Sequence, residues 1–269
     1  TAHLLQAAGH RIVGVWSRTP ATSRRAARAL RAPERTVEEA LPRAHVVLLG
    51  VADAAIEPVA ERIAPHVRAG AVVVHFAGSL GMTPLGTVVR AGARACALHP
   101  VQPCPDVATA IRRLPGSAWG VTCAPELEPW ARALVEGDLR GIAVPVAERD
   151  RPLWHAAAVT TANGINAVVA VGEAMLGAIG APARTVLGPL SEGALANALE
   201  RGGGASLTGP VVRGEGDAVR RHIGALAERA PNLVSAYVAA SRTVLAGARV
   251  AGRVDGATAA EIEDALALP

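Results

Sequence analysis

The chain contains no lysine: all 27 of its basic residues are arginine. That absence excludes a Schiff-base lysine, a P-loop lysine and a lysine general acid. Aromatic residues make up only 2% of the chain, so there is no series of flat side chains on which nucleic-acid bases could stack. The net charge is a modest +4, with arginines scattered among glutamates on helical stretches, and nucleic acid is not an expected partner. Cysteine is sparse. Cys96, Cys104 and Cys123 show no C-x-x-C spacing, which reads as reduced thiols in a cytoplasmic protein. The histidines form no H-E-x-x-H or comparable ligand pattern, so no metal is expected.

A long apolar span is also lacking. Leu153 to Gly172 carries no formal charge, but Thr160, Thr161, Asn163 and Asn166 interrupt it. It reads as a helix buried on most sides rather than a membrane span. No signal peptide is recognisable. Residue 1 already lies in helical sequence, Thr1 to Gly9, which leads us to expect further residues upstream.

What is present is 269 residues with 51% hydrophobic content, enough for two ordinary domains with full cores. Ala, Val, Leu and Ile must fill those cores. Small residues also let helices approach closely, which suits a helical domain and helix-mediated dimers. The first half alternates short apolar runs with helical segments. Strands are expected at His10–Trp16, Ala44–Val51, Ala71–His75, Arg94–Leu98, Trp119–Thr122 and Ile142–Pro145. Continuous apolar strands alternating with helices predict a parallel sheet covered on both faces. After Val146 the pattern turns wholly helical: Asp150–Ile179, Pro182–Glu200, a flexible break at Gly202-Gly203-Gly204, then Asp217–Arg229, Ala230–Ala248 and Ala257–Leu268. The boundary falls near residue 148. The predicted fold class is α/β, an α/β domain over 1–148 followed by an all-helical domain over 149–269.

Val15-Trp16-Ser17-Arg18-Thr19-Pro20 ends the first visible strand. In dinucleotide-binding sheets the residue after the second strand meets the adenosine ribose. An acid there favours NAD, and an arginine accommodates the 2′-phosphate of NADP. Ser17 and Thr19 can donate to that phosphate, and Arg18 can pair with it and stack on adenine. The plainer reading is a strand-to-helix turn with Thr19 or Ser17 as the cap. The glycine-rich turn that would receive the pyrophosphate belongs ahead of the helix at Thr1–Gly9 and is not in this sequence. Gly50, Val51 and Ala52 end the next strand and are cofactor-contact candidates. Gly50 would allow close backbone approach, and Asp53 would cap the following helix.

His75 and Ser79 follow one strand, and His99 another, so two histidines and a serine fall on one sheet edge. His155, Val159, Asn163 and Asn166 share a helical face. Polar groups in an apolar helix need partners, either in protein or in a ligand. Thr208 and Arg213 sit on a Gly/Pro-framed turn that could grip a carboxylate or phosphate, or merely lead into the next helix. His222 reads as a helix-surface residue.

Taken together, V-W-S-R-T-P at 15–20, H-x-x-G at 75–78, L-H-P-V-Q at 98–102, W-H-A-A-A-V-x-x-A-N at 154–163 and L-T-G-P-V-V-R-G at 207–214 resemble a known family. These are the bacterial Rossmann-like oxidoreductases whose C-terminal half is domain of unknown function 2520, relatives of 6-phosphogluconate dehydrogenase and ketopantoate reductase. The resemblance covers nearly the whole chain. It implies an N-terminal Rossmann-like domain, an all-helical dimerising domain and an active site between them. The sequence departs from the family pattern in several places. Ala77 replaces a usual serine, whose role would pass to Ser79. Ala52 replaces a proline, Trp154 a tyrosine and Glu215 an aspartate. With Asn163 as the asparagine of hydroxyacid-dehydrogenase relatives, Val159 occupies their lysine place. The expectation is an NADPH-dependent reductase of a small carbonyl or imine acid, active as a homodimer. His99 or His155 would supply or polarise the proton, Asn163 would orient the same atom, and Thr208 with Arg213 would hold the acid. A deazaflavin could replace NADPH. A non-redox isomerase or cyclase, or a regulatory module that retains the fold, are the alternatives.

Overall fold

The computed structural model describes residues 1–267. The chain forms two compact units, Thr1–Thr160 and Thr161–Pro269. Helical sequence begins at Arg151, but its first turns belong to the first unit.

Five strands make the sheet of the first unit: β1 (Val46–Leu49), β2 (Val72–His75), β3 (Arg94–Pro100), β4 (Ala118–Cys123) and β5 (Ile142–Pro145), paired in that order. β2 is buried along its whole length, as expected of a β-branched run covered on both faces. Side chains alternate between two cores. Val73 packs with Ile56, Ala60, Leu85 and Val88 on one face. Val72 and Val74 pack with Leu98, Trp119 and Leu127 on the other. Each fully buried Val or Leu contributes about 1.5–3 kcal/mol. The helices that matter below are α1 (Ala2–Ala7), α2 (Pro20–Leu30) and α3 (Asp53–Ile63).

Two expectations are corrected here. The sheet is not wholly parallel, because β4 runs antiparallel to β3. The 101–117 connection folds back beside the end of β3, where Val101 N–H donates to Ala118 O at 2.9 Å, so the chain re-enters the sheet at the end it left. His10–Trp16 is not a strand either. Only Val15 bridges to Glu34, in parallel, and among the described residues the segment has no longer ladder partner. Without a continuous row of acceptors an apolar run does not become a strand.

α4 (Arg151–Gly177) starts in the first unit and continues into the second. There it is followed by α5 (Ala183–Arg201), α6 (Gly216–Arg229), α7 (Val234–Val250) and α8 (Gly256–Ala265). The expected end of the last helix, Leu268, lies outside the described residues. The core of the second unit is Val211, Val219, Val238, Leu245, Ile262 and Leu266. Gly202 breaks the chain with φ of 91°, but the following glycines make a helical turn, Gly203–Ser206, rather than a loose linker.

The reading of α4 as a helix buried on most sides is also corrected. Its one buried residue is Arg151, and α5 has none. Val168 is 56% exposed, Leu190 63% and Leu199 80%. No helix among the described residues is long and apolar enough to cross a membrane, because hydroxyl and amide groups and breaks interrupt the runs.

Candidate active site

Three elements meet at one corner of the first unit: the ends of β2 and β3, the loop 76–83, and the first turn of α4. Arg151 holds them together. It is fully buried. Its Nε donates to Leu80 O at 2.9 Å, Nη1 to Gly120 O at 3.1 Å and Nη2 to Ala77 O at 2.9 Å. Among the described residues no carboxylate lies within ion-pair distance. A buried guanidinium costs several kcal/mol to desolvate. Here it is also the first residue of a helix, where the dipole is positive. Its three carbonyl acceptors must offset both.

The loop is braced from two further sides. His75 is fully buried; its Nε2 donates to Gly81 O at 2.6 Å and its Nδ1 accepts from Ala77 N–H at 3.2 Å. Burial holds its pKa below the usual histidine value. With both ring nitrogens taken, His75 is a structural brace, and the expectation that both strand-end histidines open into one crevice is corrected. The Glu148 carboxylate accepts from Met82 N–H (2.8 Å), Thr83 N–H (3.1 Å) and Thr83 Oγ1 (2.9 Å).

On this frame α4 presents Trp154 and His155. Two glycines make room for them. A Cβ on Gly78 would collide with the His155 ring, and one on Gly120 would come within 2.7 Å of Trp154 Nε1. Trp154 Nε1 donates to His99 Nδ1 at 3.0 Å. An indole N–H only donates, so Nδ1 of His99 is unprotonated and the neutral ring carries its proton on Nε2. The His155 ring stands edge-on to His99, with centroids 5.3 Å apart and planes at 87°. Burial first, then His155 and Arg151, push the His99 pKa down to about 4, against a smaller opposing effect of Asp53.

The linkage sign follows from that depression. Between about pH 4 and 6.5 the unfolded chain holds a proton that folded His99 does not. This group's contribution therefore lowers stability as pH falls through that window and leaves it unchanged above. His99 is accordingly a neutral hydrogen-bond donor at pH 7, not an imidazolium acid. That narrows the role read from the sequence.

The other candidates are placed as follows. Ser79 is half-buried in the braced loop. Asn163 is exposed on α4 in the second unit, as is Thr208 beyond α5. Arg213 is exposed and already paired with Glu215, through Nε at 2.6 Å and Nη2 at 2.9 Å. A substrate acid would have to displace Glu215 to reach Arg213. His222 is exposed on α6, as expected of a helix-surface residue, and its Nδ1 lies 2.8 Å from Tyr237 Oη.

The Val15–Pro20 turn borders a cavity of about 400 Å³. Its lining includes Trp16 and Ser17, the guanidiniums of Arg18, Arg35 and Arg62, and the carboxylates of Glu34 and Glu39. The Arg62 guanidinium lies 4.5 Å over the Trp16 ring. Ser17 is fixed by its N–H donating to Ser23 Oγ at 2.7 Å, and Thr19 Oγ1 donates to Thr22 Oγ1 at 2.8 Å. Thr19 is the N-cap of α2 but makes no side-chain capping bond. Among the described residues neither Arg18 nor Arg35 has a carboxylate at ion-pair distance. A separate depression of about 410 Å³ on α2, lined by Ala21, Arg24, Arg25 and Arg28, touches none of these groups. At the end of β1 a Cβ on Gly50 would project into open space, and Val51 is exposed. Ala52, not Asp53, is the N-cap of α3. Asp53 is its first residue and makes no capping bond, which corrects that reading; its charge still suits the helix dipole.

Residues 1–100 match the family model for a Rossmann-like domain, and residues 117–244 match the model for domain of unknown function DUF2520. The chain joins a Rossmann-like domain to a DUF2520 domain. No curated protein matches it. Among solved structures it is similar to a protein from Bacteroides fragilis described as an NADP oxidoreductase, at 24% identity over 91% of this chain and 92% of that one, with a TM-score of 0.74. It is similar to an imine reductase from Myxococcus stipitatus in complex with NADP+, at 18% identity over 97% and 94% and a TM-score of 0.67. A 1-pyrroline-5-carboxylate reductase from Streptococcus pyogenes matches at 17% identity over 99% and 93%, with a TM-score of 0.59. At these identities the likeness is one of fold.

In this Rossmann–DUF2520 chain, sequence reasoning missed Arg151, Glu148 and the bond from Trp154 to His99. The one available signal was an arginine opening an otherwise apolar helix. Arg151→Met should leave three carbonyls without their donor and lower unfolding stability by about 2–4 kcal/mol, read from the urea midpoint. An unchanged midpoint would contradict the pinning role.

Proposed function

We propose that the protein is an NADPH-dependent reductase of a small carbonyl or imine substrate. The observation that carries this reading is the cavity beside Ser17 and Arg18, where three guanidiniums, those of Arg18, Arg35 and Arg62, outnumber the carboxylates of Glu34 and Glu39. Those groups fit an NADP 2′-phosphate. Arg18 and Arg35 would pair with it, the Ser17 and Thr19 hydroxyls would donate to it, and the Trp16–Arg62 stack offers a flat wall for adenine. Gly50, Val51 and Ala52 leave open space along the same edge. The NADP named for two of the fold relatives supports the reading. When bound, the cofactor supplies hydride.

The chain's own residues supply orientation and the proton. His99, neutral and fixed with its proton on Nε2, donates a hydrogen bond to a carbonyl oxygen or imine nitrogen. A preoriented neutral donor polarises that atom without a reorganisation cost. His155 exchanges the proton. Ser79, in the loop pinned by Arg151, can donate a further hydrogen bond. Asn163 and Thr208 are exposed polar groups of the second unit. Arg213 would hold a substrate acid by exchanging Glu215 for it.

We also propose a homodimer. α4 and α5 leave Val168, Leu190 and Leu199 more than half exposed, and long helices with that much apolar surface in solvent are candidates for an interface. A second copy of the chain is the partner that a self-complementary helical face would accept.

Calorimetry with the full-length protein tests the cofactor. NADPH should bind more tightly than NADH, and Arg18→Ala should weaken NADPH alone by about 10- to 100-fold. Binding of neither nucleotide would overturn the reading. Light scattering tests the dimer: the wild type should give twice the chain mass and Leu190→Glu a monomer, whereas a monomeric wild type would contradict it.

A further inference from the structure

Cys96 lies directly opposite Cys123 across the antiparallel β3–β4 pair. Because Val101 N–H donates to Ala118 O, positions 101 and 118 form a hydrogen-bonded pair. Hydrogen-bonded and non-hydrogen-bonded pairs alternate along such a ladder. Five steps back, 96 and 123 are a non-hydrogen-bonded pair. Pairs of that kind hold their Cα atoms about 4.5 Å apart, with the side chains at closest approach. A disulfide spans Cα separations of about 4.4–6.8 Å.

The side chains are on the same face, since both pack in the core with Val74, Leu98 and Val121. The interaction between the two neighbouring thiols, reinforced by burial, holds Cys96 in its protonated form, and the same interaction draws the pKa of Cys123 below the usual thiol value. Cys96 is fully buried and Cys123 is half-buried. The pair thus divides into an accessible, more readily ionised sulfur and a protected one beside it, which suits attack followed by resolution.

We infer that Cys96 and Cys123 are a modification site, a dithiol that a peroxide oxidant converts into a cross-strand disulfide. The Cys123 thiolate attacks the peroxide, the O–O bond breaks, hydroxide leaves and Cys123 becomes a sulfenic acid. The Cys96 sulfur then attacks the Cys123 sulfur and the S–O bond breaks. The departing hydroxide takes the Cys96 proton and leaves as water. In total the two thiols lose two protons and two electrons, and hydrogen peroxide is reduced to two waters. The bond would link β3 three residues before His99 to β4 three residues after Gly120, stapling the strand pair that carries the corner. This site does not depend on the proposed cofactor or reaction.

The test uses the full chain with Cys104→Ser, which removes the exposed thiol. After hydrogen peroxide treatment both remaining thiols should disappear together and the intact mass should fall by two hydrogens. A non-reducing digest should contain the β3 and β4 peptides joined, a thiol reductant should separate them, and the oxidised protein should melt at a higher temperature. Cys123→Ser in the same background should keep its circular dichroism and abolish the link. Accumulation of oxygen on Cys123 with Cys96 still free, or retention of both thiols once wild-type Cys104 is oxidised, would overturn the inference.

Discussion

The corner of the first unit depends on one buried charge. Arg151 could not sit where it does without the three carbonyls of Ala77, Leu80 and Gly120, and among the described residues those carbonyls have no other side-chain donor. The guanidinium therefore joins a loop, a strand and a helix in a single arrangement. Because it opens α4, it also sets where the residues three and four positions later stand, and these are Trp154 and His155. The planar, forked donor set of arginine suits acceptors that diverge in this way; a point-charge ammonium would serve them less well. The chain has no lysine to offer in its place.

From that pin the electrostatics of the site follow. Arg151 places a positive charge near two histidines and adds to the burial that keeps His75 and His99 neutral. Trp154 then decides which nitrogen of His99 keeps the proton. The resulting group is a fixed dipole. In the proposed reduction it would stabilise charge developing on an oxygen or nitrogen, while His155 handles proton exchange.

Much of the fold was legible because its signals are local. Apolar runs such as Val72–Val74 mark strands whatever surrounds them, and the change to unbroken helical sequence after Val146 marks the helical half. His99 and His155 could be picked out as polar groups at a strand end and in an apolar helix. The reversal of β4 was not legible, since a strand's direction depends on where its connection returns. Nor was the exposure of α4 and α5, because apolar content signals burial without saying against what. Arg151 and Glu148 escaped because their partners, backbone groups apart from the Thr83 hydroxyl, lie up to 74 residues away, and backbone leaves no trace in composition or spacing. The ion pair of Arg213 also escaped: its partner, Glu215, stood two residues away and was weighed only as a family variant.

The most direct test of this account is the protonation of His99 itself, followed by long-range 1H–15N correlation of the imidazoles from pH 4 to 8. The account predicts a ring that stays neutral down to about pH 4, with its proton on Nε2 and Nδ1 accepting from Trp154. A midpoint near the ordinary histidine value, or a proton on Nδ1, would contradict it.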